Sequence, residues 1–384
     1  MKKRPDGRYQ KNIYIGTDSN GKKKYKTVFG KTQKEVNQKA TEIKLKLNKG
    51  IDVCADNDTF GEWIAKWKQL QKTFVGETHY NTYDYYLKPF EELFDIKISK
   101  LQVSDFQMII NHYAESNPHT NKPTAKATLK DYKVTASQVF KFAIKNRAID
   151  FNPIEYVEIP KNAPKKKRRA LTKEEQQWIM NTPHKAQLPA MIMMLAGLRL
   201  GECLALQWCD IDLTKKTIHV TKTLVNTNSS TPQIKNSPKT KSGIRTVDIP
   251  NILVEYLKKQ HFKSPFDYVV TNTSGRLMSS TSWKKMWNSY LIDLNIKYGN
   301  FSDYLIKPMS KYHPEKIPFV IERFTAHYLR HTHATNLFKA GYDVLYIQHQ
   351  LGHSTPETTL NIYTHLVKEN KTSELSKLDS YLAV

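Results

Sequence analysis

The chain has 384 residues, room for two or three domains that each bury a core. Its 60 basic and 36 acidic side chains leave a formal charge of +24, which points to a polyanionic partner and says nothing about fold. Cys54, Cys203 and Cys209 have the spacing of neither a disulfide framework nor a zinc ribbon. The N-terminus lacks the apolar segment of a secretory signal, and no stretch approaches the roughly 20 apolar residues of a membrane span, so a soluble cytoplasmic protein is expected.

RYQKNIYIGT (8–17) and KKKYKTVFG (22–30) read as strands joined by the turn signal DSNG, and the run that follows reads as a helix stopping at Gly50. Residues 1–50 carry 15 basic and 4 acidic side chains, which suits a small basic hairpin packed on one helix. Lys22, Lys23, Lys24 and Lys26 on such a ribbon are placed to enter a DNA groove. The plainer alternative is a solvated edge whose lysines block aggregation.

Thr59 and Glu62 form a capping-box pattern opening a helix, and further helical runs follow near 78–94, 104–115 and 125–147. The last run places Lys126, Lys130, Lys133, Lys141 and Lys145 along one stripe, with Leu129, Ala136, Phe140 and Ala143 on another face. A helical, nearly neutral domain is therefore expected over 58–160. The segment 161–169 (KNAPKKKRR) is a basic linker. Its Lys165, Lys166, Lys167, Arg168 and Arg169 suit either a strap on phosphates or an import address.

A second capping box, Thr172 to Glu175, opens a domain over 170–384 in which helices alternate with short strands. QLPAMIMMLAG reads as a buried helix whose Met191, Met193 and Met194 fill the core. Strands are expected within 215–224, 242–250 and 267–271, a helix over 325–341, and helix plus loop over 284–324. The predicted class is a multidomain, mainly α chain with small β-sheets (α+β).

Four pieces of this last domain hold unusual polar residues: AGLRLGE with Arg199, PKTKSGIR with Lys239 and Lys241, HYLRH with His327 and Arg330, and LGHSTPETTLNIYTHL with His353 and Tyr363. His327 and Arg330 share a helical face. Two arginines can clamp the oxygens of a phosphodiester and neutralise a pentacoordinate transition state. Gly352 and Pro356 bracket a turn, after which Leu360, Tyr363 and Leu366 recur every three residues as a short helix would require.

The order Arg, Lys, His-x-x-Arg, His, Tyr resembles the tyrosine recombinases, the integrases of phages and conjugative transposons. AGLRLGECLALQW, TAHYLRHTHATNL and LGHSTPETTLNIYTHL are similar to that family's signature stretches. The resemblance covers residues 170–370 closely. It makes the middle domain similar to a core-site-binding domain and the hairpin–helix similar to an arm-site-binding domain.

The resemblance implies a site-specific recombinase that integrates and excises a mobile element through a 3′-phosphotyrosine, without metal, ATP or other cofactor. Tyr363 is then the nucleophile, Arg199 and Arg330 stabilise charge, and His327 and His353 supply hydrogen bonds or take the proton. A lysine protonates the leaving 5′-oxygen. Lys239 and Lys241 both qualify, and an Arg six residues after the first favours Lys239. Implied partners are core and arm DNA sites, a tetramer on synapsed DNA, a directionality factor and a host DNA-bending protein. The last residues, 367–384, are expected to dock on a neighbouring protomer.

Rival readings fit less well. His327 and His331 stand at i and i+4 as in a zinc hydrolase, but Tyr-Leu-Arg lies between them, without the required Glu and with a cation beside the metal. A non-catalytic DNA-binding regulator leaves the Arg–His–Tyr set unexplained. A type IB topoisomerase shares the tyrosine chemistry but not the flanking DNA-binding modules.

Overall fold

The structure is a computed structural model, and it describes residues 3–17, 21–50, 58–165, 169–226, 232–235, 243–262, 266–304, 318–357 and 359–360. The chain divides into two compact units, Met1–Lys166 and Lys167–Val384.

The first unit opens with β1 (Tyr9–Thr17) and β2 (Lys23–Gly30), an antiparallel pair with a register shift between Tyr14 and Gly16. Helix α1 (Gln33–Asn48) starts where the Thr32 side chain accepts from Glu35 N. It packs Val36 and Ala40 on Ile13 and Val28, forming a core separate from the rest of the unit. Helices α2 (Phe60–Gln71), α3 (Glu77–Leu87), α4 (Val103–Glu115) and α5 (Lys126–Lys145) follow. Phe60, Phe106 and Phe140 meet in the centre of their core.

The Thr59–Glu62 capping box forms as the spacing requires. The expected helix over 78–94 does not run through. Pro89 lacks the N–H that a continuing helix needs, and the chain tightens into a 3₁₀ segment at Lys88–Leu93.

The second unit begins with α6 (Lys173–Asn181) on its own capping box, then α7 (Gln187–Ala196), with Met191, Met193 and Met194 fully buried, and the short α8 (Leu200–Leu204). Strands β3 (Ile211–Asp212), β4 (Thr217–Val220) and β7 (Arg245–Asp248) form a three-stranded antiparallel sheet. Strands β5 (Thr223–Asn226) and β6 (Pro232–Lys235) form a separate pair. Helices α9 (Asn251–His261), α10 (Ser280–Tyr298), α11 (Ala326–Lys339) and α12 (Val344–Leu351) complete the described part.

Two strand expectations need correction. Residues 215–224 hold two strands in different sheets, β4 and the start of β5. Residues 267–271 form no ladder. Tyr268 makes one bridge to Gln207, and the partner segment then turns into 3₁₀ at Trp208–Asp210, so the pairing has nowhere to extend. Val269 and Val270 are nonetheless buried, which is the apolar signal that made the segment resemble a strand. No helix among the described residues is long and apolar enough to cross a membrane.

Candidate active site

The site is assembled where α7 ends, α8 begins, α11 packs on α7 and α12 meets β7. Helix α7 stops at Gly197, whose φ of +69° is left-handed. A β-carbon there would stand 2.5 Å from Cδ2 of His333, so a side chain is excluded twice over, by conformation and by space. Two residues on, Arg199 occupies the N-cap of α8. Its backbone N–H donates to Glu202 Oε2 at 2.9 Å, its Nη1 to Glu202 Oε1 at 2.7 Å and its Nη2 to the Gly352 carbonyl at 2.6 Å. Its side chain still keeps 42% of its surface exposed.

Arg330, on α11, is only 4% exposed. Its Nη1 donates to the Gly197 carbonyl at 2.6 Å and its Nη2 to the Leu351 carbonyl. Burial first, then the charge of Arg199, pushes its pKa down to about 9, which still leaves it protonated at neutral pH. His327, one helical turn earlier, is exposed above it.

Helix α12 ends at Gly352 in a left-handed cap (φ 60°), which turns the chain into His353. His353 Nδ1 lies 2.9 Å from Thr359 Oγ1, and its backbone exchanges hydrogen bonds with Gln348. Burial, then the charges of Arg330 and Arg199, pushes its pKa down to about 4, so the ring is neutral at physiological pH. The structure therefore brings Arg199, Arg330 and His353 together. His327 adds to the positive field felt by His353. Lys239, Lys241, Tyr363 and the tail 367–384 lie outside the described residues.

Two residues of the site had no role assigned from sequence. Glu202 and Arg245 form a buried pair, with Nη2–Oε2 at 2.9 Å and Nη1–Oε1 at 3.1 Å, and side chains only 2% and 1% exposed. Burial alone would raise the Glu202 pKa, but the hydrogen bonds and charge of Arg245, helped by Arg199, outweigh it and hold the carboxylate below its usual value. Signals for both were present. Glu202 is the third residue after Arg199, the capping-box position, and Arg245 alternates in phase with Val247 and Ile249, which a period-two reading places on the core face. A buried guanidinium there requires a carboxylate. Arg199 and Arg245 both bond to this one carboxylate, and Arg330 feels its charge without bonding to it. Among the described residues, three guanidiniums therefore face one anionic group, an excess of positive charge suited to an anion.

The expected DNA-contacting cations divide. Lys23, Lys24, Lys130 and Lys165 are exposed, Lys126 is half-buried, and Lys22 and Lys26 flank and lie within β2. Lys133 is engaged internally: its ammonium donates to the carbonyls of Glu155 at 3.1 Å and Val157 at 2.5 Å. Arg169 grips Glu175 through both Nη atoms and donates through Nε to Glu322 at 2.8 Å, which anchors the start of the second unit. Lys166, Lys167 and Arg168 lie outside the described residues. Among the described residues no three His, Cys, Asp or Glu side chains are grouped as metal ligands.

The phage integrase family profile matches residues 169–370, more than half of the chain. The chain belongs to the phage integrase family. Similarity to individual proteins extends beyond the matched segment. A XerC-like tyrosine recombinase of Caldanaerobacter subterraneus subsp. tengcongensis is 26% identical over 97% of this chain and 95% of its own. The transposase of transposon Tn916 from Enterococcus faecalis is 25% identical over 89% of this chain and 82% of its own. In fold, the chain is similar to the integrase of transposon Tn1549 solved with transposon right-end DNA. The TM-score is 0.66 and the identity 20%, over 84% of this chain and 99% of that one. This tyrosine recombinase is a site-specific enzyme of DNA strand exchange, of the kind that serves mobile elements.

Proposed function

We propose that Arg199, Arg330, His327 and His353 hold the scissile phosphate and that Tyr363 attacks it. The phenolic oxygen bonds to phosphorus, the bond to the 5′-oxygen breaks, and Lys239 delivers a proton to that oxygen, with Lys241 as the alternative donor. A free phenol has a pKa near 10 and needs its proton taken, a role for His327, or for His353 once the phosphate offsets the arginine charges that depress its basicity. The reverse attack by a 5′-hydroxyl from the partner duplex releases the tyrosine. Each step exchanges one phosphoester for another, so the bond energy is retained throughout.

The observation that carries the reading is the convergence of Arg199 and Arg330 on one helix end, beside a third arginine and a single carboxylate. Each chain carries one such site and opens one strand. Two duplexes present four strands, so a tetramer on synapsed DNA is the working assembly. The hairpin–helix of 1–50 takes arm sites, and the helices of 58–160 and the linker 161–169 take the core site beside the catalytic domain over 170–384. A directionality factor and a host DNA-bending protein complete the partners, and the work is done on cytoplasmic DNA.

The test is incubation with a nicked suicide duplex. A protein–DNA adduct that survives SDS but not protease is expected, and two sites should exchange strands. Relaxation of supercoils without exchange would assign the chemistry to a topoisomerase instead.

A further inference from the structure

Three consecutive carbonyls at the end of α12 each accept from a different guanidinium. Gln350 O accepts from Arg245 Nε at 2.8 Å, Leu351 O from Arg330 Nη2, and Gly352 O from Arg199 Nη2 at 2.6 Å. Carbonyls at a helix C-terminus lack intrahelical donors and stand at the negative end of the macrodipole, so they are natural acceptors for cations. The three arginines come from β7, α11 and the turn before α8, far apart in sequence. The place of this one terminus therefore sets how the guanidiniums stand relative to one another.

The terminus is itself fastened to β7. Gln350 is a polar side chain only 2% exposed. Its Nε2 donates to Asp248 Oδ2 at 2.9 Å and to Tyr346 Oη at 2.6 Å, while its Oε1 accepts from Asp248 N at 3.2 Å. Tyr346 Oη donates to Asp248 Oδ2 at 2.8 Å, closing the network. Asp248 ends the same strand that Arg245 begins. Asp248 is exposed and Tyr346 half-buried, so the network ties the buried Gln350 amide to the rim of the sheet, and satisfying that amide favours one arrangement over others.

We infer that Gln350, held by Asp248 and Tyr346, is a positioning residue for the arginine pair, fixing the α12 terminus so that Arg199 and Arg330 meet the phosphate already aligned. It rests on the reading of those arginines as phosphate ligands given above. Gln350 itself touches neither DNA nor the reacting atoms. The guanidiniums hold their N–H groups in a rigid fork, so a displaced terminus misaims them without removing their charge. Cleavage then slows while DNA affinity is kept.

The full-length chain is assayed on a nicked suicide duplex built on a site recovered by covalent trapping from genomic fragments. Adduct formation at saturating DNA and affinity for the intact site are measured separately. Gln350→Glu sets a carboxylate against Asp248. It should slow adduct formation by about tenfold or more with affinity held within about twofold, since about 1.4 kcal/mol of lost alignment is tenfold in rate. The double variant Asp248→Asn/Gln350→Glu restores a donor opposite an acceptor and should return to within about threefold of the parent rate, as coupled neighbours do. The inference is overturned if folded Gln350→Glu cleaves at the parent rate, if its rate and affinity fall in step, or if the double variant is no better than the single. Should Gln350→Glu fail to fold, Tyr346→Phe decides: a slower rate at unchanged affinity supports the inference, and an unchanged rate overturns it. An Arg199→Ala variant that cleaves normally would mark failure of the parent reading instead.

Discussion

Glu202 answers to two arginines from within the protein interior. Removing one partner of a buried ion pair strands the other, at a typical cost of about 3–5 kcal/mol. Glu202→Ala is therefore expected to lower unfolding free energy in urea by about that amount and to abolish cleavage, because Arg199 and Arg245 both lose their tether. The histidines make a second prediction at this scale. Burial pushes the His333 pKa down to about 4, and burial with the arginine charges does the same for His353, against an ordinary imidazole value of 6.5. Between those values the unfolded chain binds more protons than the folded one. The stability that the neutral rings contribute is therefore complete above pH 6.5 and is lost as pH falls toward 4. Imidazole resonances followed by NMR should titrate near pH 4 for both. A midpoint near 6.5 for His353 would remove the arginine field from the account.

At the scale of elements, the turn between α7 and α8 leaves no room for a side chain. Gly197→Ala combines a left-handed φ with a 2.5 Å approach to His333, and is expected to cost about 1–3 kcal/mol and several degrees of Tm. It should also slow cleavage, since the Gly197 carbonyl accepts from Arg330. Much of this level was legible in the sequence, because local chemistry dictates it. Thr59–Glu62 and Thr172–Glu175 announce helix starts that need no tertiary help, and the αL glycines 197 and 352 stand beside the arginine and histidine that they position. Elements that depend on a partner were less legible. Val269 and Val270 are apolar enough for a strand, but whether a ladder forms is decided by the neighbouring chain, which turns away. The Glu202–Arg245 pair joins α8 to β7 across 43 residues, a contact that no spacing rule announces.

Across the whole molecule, charge is segregated: the first 50 residues and the linker are strongly basic and the helical segment between them is nearly neutral. DNA affinity should fall steeply as salt rises, by about one counterion for each phosphate neutralised, measured as the slope of log affinity against log salt. A flat response would contradict the charge-based account. Deleting residues 1–50, whose Ile13–Val28–Val36–Ala40 core is separate from the larger helical core, should spare cleavage of a core site and impair integration. Equal integration by the truncated chain would remove the arm-site role.

The most direct test is at Tyr363, the proposed nucleophile. On a nicked suicide duplex the parent chain should accumulate an SDS-resistant, protease-sensitive adduct. Tyr363→Phe should bind the same DNA with unchanged affinity and form none. An adduct formed by Tyr363→Phe at the parent rate would contradict the account.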